Sequence, residues 1–153
     1  MAAFFLSHFN MFKLQFSVII IFFAINAESS DLGTTGLIDT PTARMLNDGD
    51  FKASLSFQKI ANIYNSTYQA TPWLETTFRY TIFNPDNPYR NSSWVDGLND
   101  RSYAAKIKLF NESKYLPQVA LGIQDILGTG AWNGEYIVAS KQINQFDFSV
   151  GLG

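Results

Sequence analysis

From Ser30 onward apolar and polar residues alternate along almost every segment, and no segment keeps a helical period. Phe51, Ala53, Leu55 and Phe57 share one parity, with Lys52, Ser54, Ser56 and Gln58 on the other. Leu74, Thr76, Phe78 and Tyr80 oppose Trp73, Glu75, Thr77 and Arg79. Tyr103, Ala105, Ile107 and Leu109 oppose Ala104, Lys106 and Lys108. The same rhythm runs through Gln118–Ile126 and Phe146–Leu152, and less cleanly through Glu135–Lys141, where Ile137 and Ala139 share a parity with the terminal charges. A period of two with one apolar face is the signature of a strand. With a further segment at Asn62–Ala70, the chain reads as about seven strands.

The connections are those of hairpins. Pro117 opens one strand, where its missing N–H costs least. Leu127–Gly134 carries Gly128, Gly130 and Asn133-Gly134, which is turn chemistry. Ile82–Asp100 is long and polar, with Pro85, Pro88 and Gly97, and reads as a surface loop. The first thirty residues differ. Lys13 precedes the apolar run Val18–Phe23, and Asn26, Ala27, Glu28 and Ser29 follow it. This is the plan of a secretory signal peptide, cleaved after Ala27, whose apolar core is short of the roughly 20 residues that span a bilayer; the alternative is a retained N-terminal anchor helix. The expected organisation is a signal peptide over 1–27, an extended segment over 28–50 and a strand region over 51–153.

Composition removes most familiar chemistries. At 153 residues the chain suits one domain. It has no cysteine, hence no disulfide, thiolate metal site or Cys nucleophile, and its single histidine, His8, lies in the N-terminal segment. No metal site, cofactor or Ser-His triad is expected. The net charge of -2 excludes a polybasic nucleic-acid binder. Periodicity leaves two folds open. A soluble sandwich turns its charged face to water, whereas an outer-membrane barrel turns its apolar face to lipid and its charges to a lumen. Aromatics near strand ends, such as Trp73, Tyr80, Tyr103, Trp132 and Tyr136, suit either.

Five ordered segments add a resemblance. They are GTTGLIDTPTAR (Gly33–Arg44), PWLETTFRY (Pro72–Tyr80), ESKYLPQVALGIQD (Glu112–Asp125), GTGAWNGEYIVASK (Gly128–Lys141) and FDFSVGLG (Phe146–Gly153). In this order and spacing the chain resembles the N-terminal region of the YjbH-type exopolysaccharide biosynthesis proteins, relatives of the GfcD group-4-capsule proteins. The resemblance implies an all-β antiparallel meander forming part of an outer-membrane β-barrel in a Gram-negative bacterium. It implies no enzymatic activity, a role in exopolysaccharide or capsule export, and partners among periplasmic and lipoprotein products of the same operon, with the polysaccharide itself a further candidate. Family members are several times longer, and a barrel needs at least eight strands, so the chain is expected to be a fragment of a larger barrel. The alternative is a soluble periplasmic carbohydrate-binding β-sandwich.

The candidate site residues follow from the polar parity. Glu75, Arg79, Lys106, Lys108 and Asp147 are assigned to a lumen or a partner-facing surface. Glu75 and Arg79 are about 13 Å apart along a strand and do not pair, so each seeks a partner across the sheet, such as Lys106 or Asp147. The favoured reading is that these charges satisfy one another in a plugged interior; the other is that they contact sugar hydroxyls. Trp94, in the polar loop, is a candidate for stacking on a sugar ring. Asp125, Gly128, Thr129 and Gly130 form the family-motif turn, read as a tight turn in which the glycines take positive φ and Asp125 caps a free N–H. A glycosidase pair drawn from Glu75, Asp125, Glu135 and Asp147 has no spacing to recommend it.

Overall fold

A computed structural model describes residues 30–84 and 99–153. The expected signal peptide over 1–27 and the candidate Trp94 lie outside the described residues. The described chain is one antiparallel sheet of seven strands in sequence order, curved into a half-barrel. The strands are β1 (Phe51–Phe57), β2 (Ala61–Thr71), β3 (Leu74–Phe83), β4 (Asn99–Phe110), β5 (Gln118–Ile126), β6 (Gly134–Ile143) and β7 (Phe146–Leu152). Each pairs only with its sequence neighbours, so β1 and β7 are the edges. The expected loop Ile82–Asp100 is shorter than its bounds, because β3 runs to Phe83 and β4 begins at Asn99.

Alternation decides the two faces. The convex face carries Leu55, Phe78, Tyr103, Ile107, Leu121, Ile137 and Val150, all exposed. The register stacks these residues in rows: Leu74 opposes Ile107, Ile107 opposes Leu121, Leu121 opposes Ile137 and Ile137 opposes Leu152. Aromatic rings add contacts along the same face. Phe57 meets Tyr64 edge-on at 6.4 Å, Phe78 lies 5.4 Å from Tyr103, and the Arg101 guanidinium lies over Tyr80. The concave face is the reverse: Asn65, Thr67, Glu75, Thr77, Arg79, Ser102 and Lys106 are buried there. A water-soluble sheet buries its apolar side, so the polarity of this sheet is inverted.

Segment 30–44 covers the concave face. Rather than running extended, it turns back on itself: Gly36 pairs with Pro41, the Asp31 N–H donates to the Ile38 carbonyl at 2.7 Å, and the Leu37 N–H donates to the Thr40 carbonyl at 2.9 Å. It begins beside β1 and β2, where Ser56 Oγ and Gln58 Nε2 donate to the Asp31 carboxylate. It ends beside β5, β6 and β7 at Ala43 and Arg44. Ala43 joins Ala120, Tyr136 and Val138 in a small buried apolar cluster. Tyr136 lies across Gly122, its register partner on β5. A Cβ on Gly122 would sit 2.1 Å from Tyr136 Cζ, so only glycine leaves room for the ring.

Candidate functional site

The site is the packed layer between the sheet and segment 30–44. Strand register brings Glu75 of β3 opposite Lys106 of β4, and Lys106 Nζ lies 3.2 Å from Glu75 Oε1 with both side chains fully buried. Taking both charges from water costs several kcal/mol per ion, which their attraction offsets only when the remaining donors and acceptors are met. Segment 30–44 meets them, mostly through its backbone. Glu75 accepts from the Thr35 N–H at 2.9 Å and from the Thr35 hydroxyl. Lys106 donates to the carbonyls of Thr35 at 2.9 Å and Arg44 at 2.7 Å. Further along, Thr67 donates to the Gly33 carbonyl, Gln118 to the Ala43 carbonyl, and the Ala43 N–H to Ser140 Oγ.

Arg79 has different company. Its Nε donates to Ser102 Oγ at 3.0 Å, and its Nη2 lies 3.7 Å from Asp125 Oδ1, too far for a hydrogen bond. Asp125 accepts from the Trp132 N–H at 3.1 Å and Asp100 from the Thr129 N–H at 3.0 Å, so both carboxylates tie down the β5–β6 turn. Asp125 thus caps a free N–H. The glycine assignment in that turn needs correction: only Gly130 of Gly128, Gly130 and Gly134 has positive φ, while Asp125 and Leu127 take it instead, each at 60°. Gly128 serves by size, since a Cβ there would strike Asp125 Oδ1 and Ser102.

The far end of the layer is an ion network. Arg44 Nε and Nη2 grip the two Asp147 oxygens at 2.8 and 2.6 Å, and Nη1 reaches Glu112 Oε2 at 2.7 Å. Lys141 Nζ lies 3.0 Å from Glu112 Oε1 and also donates to the Ser113 carbonyl. The Lys141 hydrogen bond, helped by Arg44, holds the Glu112 carboxyl down at about 2. Asp147 and then Glu112 push the Arg44 guanidinium further above its ordinary value.

Glu75, Arg79, Lys106 and Asp147 therefore all stand on the concave face with partners, and the structure brings Glu75 together with Lys106. Lys108 shares that parity but is only half-buried, beside an irregularity between Lys108 and Phe110. Arg44, Glu112, Thr35 and Asp100 escaped the sequence reading. Arg44 ends the segment Gly33–Arg44, yet nothing in its neighbours signals two distant carboxylates, Glu112 between β4 and β5 and Asp147 on β7. Among the described residues no group of three His, Cys, Asp or Glu stands ready for a metal.

A family profile described as "Exopolysaccharide biosynthesis protein YbjH" matches residues 28–153, from the covering segment through β7. The chain belongs to the YjbH exopolysaccharide biosynthesis family. It is 42% identical over 135 residues to the "Uncharacterized lipoprotein YjbH" of Escherichia coli (strain K12). That match covers 84% of this chain but 19% of the relative, so the chain spans about a fifth of the length of the YjbH protein it matches. No solved structure matches it. The matched region of the family thus includes both the sheet and the segment packed in its concavity.

Proposed function

We propose that the chain is a non-enzymatic, outer-membrane β-barrel portion of a protein that takes part in exopolysaccharide biosynthesis or export. One observation carries the reading: the sheet buries Glu75, Arg79, Asp100, Lys106 and Asp125 and presents its large apolar side chains outward. Exposed apolar patches on soluble monomers rarely exceed a few hundred Å², whereas a lipid-facing barrel wall is apolar throughout. The named lipoprotein relative supports export and membrane association. The absence of a second packed sheet among the described residues weighs against the sandwich.

The candidate carboxylates support the non-enzymatic part. Glu75 and Asp147 are held by cations, and Asp125 is bonded within its own turn. Glu135 is exposed, on the same parity as Ile137 and away from the buried face that holds Glu75. Segment 30–44 fills the concavity where a polymer would pass, which favours a scaffolding or docking role, toward the polysaccharide or other products of the operon, over a conduit in this portion. Fractionation and gel mobility test the membrane assignment. The protein should require detergent for release from the outer membrane and should change mobility on a gel when the sample is left unheated. Recovery in the fraction freed by osmotic shock would sink it.

A further inference from the structure

We propose that the concave face is a peptide-binding groove, and that segment 30–44 is its resident ligand, able to leave and be replaced. The contacts have the character of ligand recognition. The sheet side chains address backbone atoms of the segment: the carbonyls of Asp31, Gly33, Thr35, Ala43 and Arg44 and the N–H groups of Thr35 and Ala43. Backbone atoms are common to all residues, so these contacts do not read sequence; side chains are read at Asp31, whose carboxylate accepts from Ser56 and Gln58, and at Thr35, whose hydroxyl donates to Glu75. Two positions set the register. Gly33 lies so close to β2 and β3 that a Cβ would come within 2.7 Å of Asn65 Cβ and 2.8 Å of Thr77 Cγ2. Arg44 closes the other end with its forked bond to Asp147 and its bond to Glu112. Between them the tip faces outward, with Leu37 and Ile38 exposed, and takes no part in the grip.

The link to the sheet is accessible: Asn47, Asp48 and Gly49 are exposed. The ligand class is thus a short looped peptide with a carboxylate at the position of Asp31, no side chain at that of Gly33 and a guanidinium at that of Arg44. This inference stands on the packing within the chain and does not depend on the membrane assignment.

The test uses the whole chain with a protease recognition sequence inserted between Asn47 and Asp48. The folded protein is cut, and a fluorescently labelled synthetic peptide of residues 30–44 is added in excess. The severed segment should stay with the sheet on a sizing column and exchange for the labelled peptide while the β-sheet circular dichroism signal holds. Unlabelled peptide should compete, and peptides carrying Gly33→Val or Arg44→Ala should compete about tenfold less well or worse. Because those changes are in the peptide, they leave the sheet untouched. Uptake no better than that of a scrambled peptide overturns the proposal. So does release of the segment from a sheet that then binds no peptide, and so does loss of the sheet when the segment leaves.

Discussion

Glu75 and Lys106 are register partners on β3 and β4, and beyond their bond to each other both are hydrogen-bonded by segment 30–44, Glu75 by the Thr35 N–H and hydroxyl and Lys106 by the Thr35 and Arg44 carbonyls. The pair is buried from solvent on every side. Its interaction is therefore unlike that of a surface ion pair, which contributes little. Removing one partner leaves the other as an uncompensated buried charge.

Lys106→Met should accordingly destabilise the protein by about 3–5 kcal/mol, and Glu75→Gln by a similar amount, while the double variant loses clearly less than their sum. Urea midpoints in detergent check this. Strict additivity would show that the two charges do not depend on one another.

The Arg44–Glu112–Lys141 network supplies a pH dependence. The Glu112 carboxyl is held at about 2, below the ordinary carboxylate value near 4.3 of an unfolded chain. A depressed folded value means the stabilisation is complete above the unfolded value and is lost as pH falls through the folded one. Stability from this source should be flat from pH 8 to about 5 and decline from about 4 to 2. Thermal midpoints across that range give the profile, and Glu112→Gln should remove this portion of the decline. Because the network is partly exposed, high salt should shrink it.

Gly122→Ala should overpack the contact with Tyr136 and destabilise by about 1–3 kcal/mol. Adding Tyr136→Leu should restore part of the loss by vacating the space over Gly122. Equal destabilisation by Gly122→Ala with and without Tyr136→Leu would show that the ring is not the obstacle.

The convex face can be probed directly. Leu121 and Ile137 are exposed register partners near the middle of β5 and β6. In a bilayer, Leu121→Arg should cost about 2–4 kcal/mol, whereas the same surface change in water usually costs within about 0.5 kcal/mol. Refolding the variant into lipid vesicles and comparing its urea midpoint with that of the parent separates the two environments.

The strand plan was legible because alternation is a local property. Parity alone placed Glu75, Arg79, Lys106, Lys108 and Asp147 on one face, and their shared face in the structure is that face. The expectation that interior charges satisfy one another matches Glu75 with Lys106, and misses Arg44 as the partner of Asp147. That partnership joins positions 103 apart in the chain, and no periodicity spans such a distance. The conformation of the β5–β6 turn was also misread at Gly128 and Gly134. Glycine tolerates positive φ but does not require it, and here Asp125 and Leu127 adopt it instead.

What the sequence determined by itself is the division of side chains between two faces and the order of the strands, since both follow from a period of two and short turns. Which face would be buried, and by what, was settled only in three dimensions. Alternation specifies relative parity and is blind to the side on which solvent lies. Segment 30–44 has no period to betray its role, because the sheet holds it largely by backbone groups that every residue carries. The burial of Glu75 and Lys106 is therefore a property of the assembled layer, in which the segment supplies the donors and acceptors that water would otherwise provide.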